Sequence, residues 1–364
     1  MSFHPEAVID LSALTHNADV ARRAAPNSKL MAVIKADAYG HGMLAVAQAL
    51  SSVDGFAVAR LEEAIKLRQA GIDKIILVLT GFSSQADLEQ FCAYDLDAVI
   101  HSEYQVELLH SADVSTPISA WLKINTGMNR LGVDASAVPR LYDALQLSGK
   151  LRLPVKLMTH LACADDMNSS STTSQISVFD EATLGLNGEQ SIANSAGLLG
   201  WKHAQRHWVR PGIMLYGASP FCDSTASDDH LLPVMTLKSR VLSIRTVRKS
   251  GCVGYGSTWQ ANRTSLIAIV AIGYGDGYPR HAVTGTPVLV AGQVAPLVGC
   301  VSMDSITVDI SQCNNVRVGD EVVLWGRGLP IEEVAEKSGT ISYELLCGVT
   351  HRVSRSIRET LNVE

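Results

Sequence analysis

The stretch Leu30-Met-Ala-Val-Ile-Lys35-Ala-Asp-Ala-Tyr39-Gly-His-Gly42 joins a buried strand to a lysine at its end. Its opening apolar run predicts a fully buried strand, and two glycines interrupt the chain before the next helical segment. Burial penalises the charge of a lysine, so we expect the pKa of Lys35 to fall toward neutrality. An amine that is partly neutral can form a Schiff base or move a proton. The alternative is a side chain that extends to water and keeps its charge.

Strand-like apolar runs alternate with amphipathic helical segments from this stretch onward, which predicts parallel strands joined by helical crossovers. Eight strands indicate a closed (β/α)8 barrel. An open sheet is the alternative, but it usually has fewer strands, and no G-x-G-x-x-G motif follows the first strand. The predicted strands are Leu30–Ala36, Gly55–Ala59, Lys74–Thr80, Leu96–His101, Ile118–Asn125, Leu153–His160, Gln190–Ala193 and Trp208–Tyr216.

A polar segment at residues 221–230 marks a change in composition, and β-type patterns separated by Gly and Asp turns dominate after it. We therefore expect an α/β protein. A (β/α)8 TIM-type barrel over residues 1–230 is followed by a separate, mostly-β domain over residues 231–364. The predicted strands of this second domain are Val234–Arg248, Ser265–Ala271, Thr286–Val290, Ile306–Ile310 and Glu321–Trp325, and its predicted helices are Ile331–Lys337 and Tyr343–Gly348.

Composition excludes several classes of protein. The 364 residues carry a net charge of -6 without a basic block, which argues against nucleic acid as a partner. No apolar run approaches the ~18 residues that span a bilayer, and the N-terminus has no signal-peptide pattern. The seven cysteines form no C-x-x-C pair, so we expect neither disulfides nor a metal site, and a reducing cytoplasm fits best.

Polar side chains fall at the carboxyl ends of the predicted barrel strands, where barrel enzymes place their chemistry. Four titratable groups and a Ser/Gly-rich turn therefore face one mouth, which predicts a functional site there. The residues concerned are Lys35, Lys123, His160, Ser195 and Arg210.

Some of these residues also have ordinary structural explanations. Ser195 is expected to cap the helix that follows it, which is compatible with a phosphate site at the same helix end. Gly212 would let backbone amides approach that anion. His160 could be an ordinary core histidine. Arg210, on an apolar strand, needs a partner, which is either a cofactor group or a plain salt bridge.

The motif Lys123-Ile-Asn-Thr-Gly-Met-Asn-Arg130-Leu-Gly132 places two cations on either side of a glycine turn. Such a loop suits an anionic substrate group, because Arg130 can bind a carboxylate through two parallel hydrogen bonds. A surface loop with solvated charges is the alternative.

Both motifs resemble those of the alanine racemases, bacterial pyridoxal-phosphate enzymes with a barrel and a C-terminal β domain. The resemblance runs through nearly the whole chain. Further matching runs are Arg210-Pro-Gly-Ile-Met-Leu-Tyr-Gly217, Val253-Gly-Tyr255-Gly-Ser-Thr258, Gly273-Tyr274-Gly-Asp-Gly-Tyr278 and Val301-Ser-Met303-Asp304.

The resemblance implies a two-base interconversion of L-alanine and D-alanine that supplies D-alanine for peptidoglycan; breakdown of D-alanine is the alternative role. Lys35 would hold pyridoxal 5'-phosphate as a Schiff base and act as the base on the D-face. Tyr255 of the other subunit would be the base on the L-face, which implies a homodimer with shared active sites. Arg130 and the backbone N–H of Met303 would bind the substrate carboxylate.

The resemblance also implies the remaining site residues. Arg210 would hydrogen-bond the pyridine nitrogen, with His160 beside it. Tyr274 and Tyr343 would narrow the entrance, and Lys123 occupies a position that is carbamylated in some members. The residues implied to hold the phosphate are Tyr39, Ser195, Gly212, Ile213 and Tyr343.

Two positions depart from the family pattern. Asn125 stands where an aspartate is usual, and Cys300 stands where an arginine commonly precedes the Val-Ser-Met-Asp run. The charge balance around Lys123 and Arg130 therefore differs from the usual one.

Three rival functions fit the sequence less well. Barrel-type decarboxylases of basic amino acids place an acidic residue at the ring nitrogen, where this chain has Arg210. Racemases of wider substrate range tend to be exported. A non-catalytic pyridoxal-phosphate carrier would be a lone barrel without the second domain.

Overall fold

The computed structural model describes residues 3–358, so residues 1–2 and 359–364 of the predicted domain ranges lie outside the described residues. The strands are β1 (Glu6–Asp10), β2 (Lys29–Val33), β3 (Gly55–Val58), β4 (Ile75–Val78), β5 (Asp97–Ile100), β6 (Ile118–Asn125), β7 (Val133–Asp134), β8 (Leu151–Met158), β9 (Gln190–Ser191), β10 (Trp208–Val209), β11 (Met235–Val247), β12 (Cys252–Val253), β13 (Trp259–Gln260), β14 (Ser265–Val270), β15 (Pro287–Val290), β16 (Gln293–Pro296), β17 (Ile306–Asp309), β18 (Glu321–Trp325) and β19 (Ser354–Arg358). The α-helices are α1 (Leu11–Ala24), α2 (Lys35–Gly40), α3 (Met43–Ala49), α4 (Leu61–Gln69), α5 (Gln85–Ala93), α6 (Glu103–Ser111), α7 (Val138–Leu147), α8 (Ser170–Ala182), α9 (Ser195–Gly200), α10 (Ile331–Lys337) and α11 (Ser342–Gly348).

Eight parallel strands close into a barrel, as predicted. Their order is β5-β4-β3-β2-β10-β9-β8-β6, and β5 pairs with β6 to complete the ring. The strands β3 and β5 are buried along their whole length, which explains why β3 and the last three residues of β5 are apolar. Helices cover the outside of the barrel. Because the eight strands are parallel, their carboxyl ends all lie at the same open end.

Most predicted barrel strands end earlier than expected, and two of these differences affect the predicted site. The first ends at Val33, so Lys35 starts a turn instead of ending the strand. The eighth ends at Val209, and a short 3-10 helix covers Ile213–Tyr216. The reason is the Pro-Gly pair after Arg210, because proline cannot donate a hydrogen bond to a neighbouring strand.

A second sheet forms the C-terminal domain. Its strand order is β16-β15-β18-β11-β1-β19, with β14 paired to β11 and β17 paired to β14. The strand β1 lies between β11 and the edge strand β19, antiparallel to β11 and parallel to β19. The assignment of residues 1–230 to the barrel is therefore wrong for Glu6–Asp10, whose alternate residues are buried as in a strand packed on one face. The rest of the division at residue 230 stays a prediction.

Two tryptophans pack toward the amino ends of the barrel strands. The rings of Trp121 and Trp208 meet edge to face at 5.9 Å, and both are almost fully buried. The indole N–H of Trp121 donates to Asp97 at 2.9 Å, and the same carboxylate pairs with Lys156 at 2.8 Å. The ammonium of Lys156 also lies over the Trp121 ring, 5.0 Å from its centre.

A second unit of the same composition completes this end of the barrel. Trp208 donates to Glu189 at 2.7 Å, Glu189 pairs with Lys29 at 2.6 Å, and Lys29 lies 5.1 Å from the centre of the Trp208 ring. Every polar group of the two units has a partner, as buried polar groups require. This end is therefore filled with paired side chains, and the opposite end remains for a site.

No helix within residues 3–358 has both the length and the apolar character needed to cross a membrane.

Candidate active site

A cavity of about 520 Å³ opens at the carboxyl ends of the barrel strands. It contains ten of the thirteen predicted site residues, nine of them from the barrel and one, Tyr343, from helix α11 of the second domain. These ten are Lys35, Tyr39, Lys123, Arg130, His160, Ser195, Arg210, Gly212, Ile213 and Tyr343.

The other three predicted residues lie in the second domain, away from this cavity. Tyr255 is 71% exposed, Met303 is 52% exposed and Tyr274 is 40% exposed. Tyr255 begins a short 3-10 segment that follows Gly254, whose φ of 77° suits a glycine. The described residues of one chain thus supply the barrel part of the predicted site and Tyr343, and the three remaining side chains are exposed.

The segment after Lys35 is a turn of left-handed helix. Residues 36–39 all have φ of 53° or 54° and ψ between 41° and 51°, although none is a glycine. Such a backbone costs an L-residue roughly 1–2 kcal/mol. Four in succession persist only where the surroundings enforce them, and such strain clusters at functional sites. The turn connects Lys35 to Tyr39, so it sets the positions of both.

Side chains from distant segments hold this turn in place. The carboxylate of Glu63 accepts from the N–H of Ala36 at 2.7 Å. Arg355, from β19, donates to the carbonyl of Gly40 at 2.9 Å. A side chain at Gly40 would lie 2.5 Å from the carbonyl oxygen of Leu346, so only glycine fits there. The second domain therefore helps to fix a turn of the barrel.

Hydroxyl and amide groups converge at the other side of the cavity. Ser195 Oγ accepts from the N–H of Gly212 at 2.9 Å. A side chain at Gly212 would lie 2.8 Å from the hydroxyl of Tyr39, so this glycine gives the tyrosine its place. The arrangement offers hydrogen-bond donors to a small anion such as a phosphate.

The predicted N-cap at Ser195 is wrong by one residue. Asn194 caps helix α9, and its side-chain oxygen accepts from the N–H of Gly197 at 2.9 Å. Asparagine is among the strongest N-cap residues, so it takes the cap and leaves the serine hydroxyl for the loop that contains Gly212.

Arg210 is fully buried among neutral acceptors. Its guanidinium donates to the hydroxyl of Ser191, to the carbonyl of Thr159 at 2.6 Å and to the carbonyl of Ile192 at 3.3 Å. Burial lowers the pKa of Arg210 to about 10, which keeps the group protonated. No carboxylate among the described residues lies within 4.0 Å of it, so the salt bridge considered above does not form there.

His160 lies beside this guanidinium, with Nδ1 3.4 Å from Nη2 of Arg210. Burial, and then the charge of Arg210, lower the pKa of His160 well below its usual value. The imidazole is therefore neutral, and Nδ1 is an acceptor toward the arginine.

Four cations share the cavity: Lys35, Lys123, Arg130 and Arg210. None of them pairs with a carboxylate within residues 3–358. Burial and the charge of Arg130 lower the pKa of Lys35. Burial and the neighbouring cations, Arg210 first, lower the pKa of Lys123 to about 8. Like charges at such density predict an anionic ligand, because it would relieve their repulsion.

Both departures from the family pattern have local contacts. Asn125 Oδ1 accepts from the N–H of Gly127 at 3.2 Å and of Asn129 at 3.0 Å, so its amide shapes the loop that leads to Arg130. The thiol of Cys300 lies 3.3 Å from the hydroxyl of Thr258, close to the segment that contains Tyr255.

Sequence reasoning missed several residues that line the cavity. Val33 and Leu131 lie within the two quoted motifs but were assigned no role. The others lie near the ends of strands, and position is the only signal for them. The missed residues are Val33, Ala59, Leu79, Thr80, Leu131, Met158 and Asn194.

A closed (β/α)8 barrel whose open end is lined by cations is typical of an enzyme that binds a small anionic ligand. The family model described as "Alanine racemase, N-terminal domain" matches residues 9–220, and "Alanine racemase, C-terminal domain" matches residues 234–357. The chain therefore belongs to the alanine racemase family and is an isomerase.

Individual relatives agree along the whole chain. The alanine racemase of Vibrio vulnificus (strain CMCP6) is 48% identical over 353 residues, which is 97% of this chain and 99% of that protein. That of Coxiella burnetii (strain CbuG_Q212) is 48% identical over 352 residues, 95% and 97% of the two chains. Among solved structures, the biosynthetic alanine racemase of Pseudomonas aeruginosa has a TM-score of 0.96 at 43% identity and covers 98% of this chain and 100% of its own.

Replacing Lys123 with methionine should stabilise the protein at pH 7 by roughly 3 kcal/mol, because folding lowers the pKa of Lys123 from 10.5 to about 8 and each pKa unit corresponds to about 1.4 kcal/mol. The folded chain holds this amine at a pKa of about 8 and the unfolded chain near 10.5, so the unfolded chain binds more protons between these values. Stability therefore rises with pH in that window, and the advantage of the variant shrinks from pH 7 to pH 10.

Scanning calorimetry across this pH range measures the effect. Lys202→Met is the matched control, because Lys202 is exposed in a 3-10 turn, and it should change stability little at any pH. A Lys123→Met variant that is less stable than the native chain at pH 7 would contradict the cost assigned to the buried charge.

Proposed function

We propose that this chain interconverts L-alanine and D-alanine with pyridoxal 5'-phosphate, using one base on each face of the substrate. The observation that carries the proposal is the cavity with four uncompensated cations, one of them the amine at the end of the first barrel strand. The family match supports the same reaction.

The residues of the cavity fit this cofactor. Ser195, Gly212, Ile213, Tyr39 and Tyr343 would hold its phosphate, and Arg210 would donate to its ring nitrogen. When bound, pyridoxal phosphate withdraws electrons from the substrate and makes the α-proton acidic. The space that Gly212 leaves for the hydroxyl of Tyr39 supports the phosphate assignment.

Lys35 would hold the cofactor covalently and move the α-proton on the D-face. A base is most efficient when its pKa is near the working pH, and burial shifts the pKa of Lys35 in that direction. Tyr255 would return or remove the proton on the L-face. Two bases on opposite faces achieve inversion without either side chain crossing the substrate.

Arg130 would bind the substrate carboxylate together with the backbone N–H of Met303. The loop shaped by Asn125 directs Arg130, and the cavity already includes its side chain. Lys123 lies in the same cavity, and a carbamate formed on its partly neutral amine would place an anion near Arg130. Tyr343 would narrow the entrance with Tyr274, and burial raises the pKa of Tyr343 to about 12, which keeps its phenol neutral.

Arg210 distinguishes this reaction from decarboxylation. Its guanidinium donates hydrogen bonds but does not give up a proton, so a ring nitrogen facing it stays unprotonated. The electron sink is then weak, which would favour fast return of the proton over side reactions. Because Arg210 is fixed by three neutral acceptors, its donor toward the cavity is fixed as well.

We infer a homodimer in which each cavity is completed by the partner. Tyr255, Met303 and Tyr274 are exposed in the single chain and lie outside its cavity. Pairing two copies would bring these side chains to the cavity of the neighbour and supply the missing L-face base.

A biosynthetic role in the cytoplasm, supplying D-alanine for peptidoglycan, is the role we propose. The similarity to the biosynthetic enzyme of Pseudomonas aeruginosa supports it. Deleting the gene in its source organism should make growth depend on added D-alanine; normal growth without it would contradict this role and favour breakdown of D-alanine.

The purified chain should absorb near 420 nm, lose this band with borohydride and form D-alanine from L-alanine. Lys35→Ala should lose the band and reduce racemisation at least about a thousandfold, since the variant lacks both the covalent link and one base. Lys150→Ala removes a lysine outside the cavity and should retain full activity. A native chain that keeps the band but forms no D-alanine would be a carrier.

Mixing inactive Lys35→Ala and Tyr255→Ala variants tests the shared site. If each cavity takes its tyrosine from the partner, a mixed dimer contains one intact site, and activity should return to about one quarter of the native value after random exchange. The Lys35→Ala variant taken alone through the same exchange procedure is the control. If the mixture of the two variants regains no activity although subunit exchange is verified, both bases lie on one chain.

A further inference from the structure

His41 follows the left-handed turn directly, and its ring is bonded to that turn. The ring atom Nδ1 lies 3.0 Å from the carbonyl oxygen of Ala38 and 2.9 Å from that of Tyr39. Both neighbours are acceptors only, so Nδ1 carries the hydrogen. One N–H thus donates to two carbonyls of the strained turn and stabilises its conformation.

The ring is buried in a way that fixes this tautomer. His41 is 2% exposed, and burial lowers its pKa to about 4, so the imidazole is neutral and has a single N–H. Within residues 3–358, Nε2 has no hydrogen-bond partner. All of the polar bonding of the side chain is therefore directed at the turn.

The imidazole ring of His41 also supports Tyr39 through stacked aromatic rings. His41 lies against the ring of Tyr216, with ring centres 4.7 Å apart, and Tyr216 stacks on Tyr39 at 4.7 Å. The hydroxyl of Tyr216 donates to the carbonyl of Val33 at 2.9 Å, which anchors the stack to the first barrel strand. Tyr39 is thus held through its backbone and through its ring.

We propose that His41 is a positioning residue for cofactor binding: its Nδ1–H holds the left-handed turn and thereby places the Tyr39 hydroxyl at the phosphate. The proposal rests on the function proposed above. His41 does not line the cavity, so it would act through Tyr39. A residue that only filled core space would be replaceable by any side chain of its size. A residue that holds the turn must have a hydrogen-bond donor at the position of Nδ1.

Two substitutions separate these possibilities. His41→Asn keeps a donor at the position of Nδ1, because the amide nitrogen stands the same number of bonds from Cα. His41→Gln moves the amide one bond further, toward the position of Nε2. The pair is matched in chemistry and polarity, so both should fold to a similar extent.

The rate at which the holoenzyme releases pyridoxal phosphate is the readout, followed by loss of the band near 420 nm after dilution. We expect His41→Gln to release it about tenfold faster than the native chain, the factor expected for one hydrogen bond, and His41→Asn to stay near the native rate. In a Tyr39→Phe background the effect of His41→Gln should shrink, because the hydroxyl through which it acts is gone.

Val106→Ala is the stability control. Val106 is buried in α6 on the outside of the barrel, so this variant should unfold at a lower temperature yet release the cofactor at the native rate. Native release by His41→Gln, or equally fast release by the Asn and Gln variants, would overturn the proposal. Absence of the borohydride-sensitive band in the unmodified chain would overturn the proposed function and this proposal together.

Discussion

Uncompensated positive charge is the constraint on which the site depends. Two lysines and two arginines share one cavity of about 520 Å³, and no carboxylate of the described chain neutralises them. The chain responds in two ways. The lysines shift their pKa downward, and Arg210 is held by carbonyl and hydroxyl oxygens that stabilise its charge without cancelling it. Negative charge must then come from what binds, which favours an anionic ligand.

Backbone strain is the second requirement of this geometry. The left-handed turn after Lys35 directs an amine and a phenol from one short segment into the same cavity. Side chains from α4 and β19 enforce that turn, so the barrel and the second domain both contribute to it. This explains why a residue as remote as Arg355 belongs to the structural support of the site. Strain of this kind is stable only inside a well-packed fold.

Much of the fold could be predicted because buried parallel strands leave a clear pattern. Most barrel strands were found from apolar runs, because burial on both faces requires them. The main strands of the second sheet are antiparallel and alternate in burial, so they were found from β-type patterns between Gly and Asp turns. The left-handed turn could not be predicted, because two alanines and a tyrosine carry no signal for positive φ and a single aspartate carries only a weak one. The strand β1 was missed because five residues that alternate in burial are too short to show to which sheet they belong.

The site was predictable to a similar degree. Residues at strand ends, such as Lys35, Lys123 and Arg210, were identified by position, since the barrel brings all strand ends to one face. Glu63 and Ser191 were not assigned, because they act through hydrogen bonds to segments far away in sequence. His41 was not assigned because its bonds depend on the left-handed turn, which the sequence does not reveal. The roles of Tyr255 and Met303 came from resemblance alone, and the single chain leaves both outside the cavity.

The position of β1 in the second sheet has a consequence for how the chain can be divided. Because β1 lies between β11 and β19, the barrel is an insertion between two neighbouring strands of one sheet. A single cut near residue 230 would therefore yield a barrel fragment that carries β1 unpaired and a β fragment that lacks the strand between β11 and β19. An autonomous version of the β domain would need the first ten residues grafted back through a short linker, and the excised barrel would begin at α1.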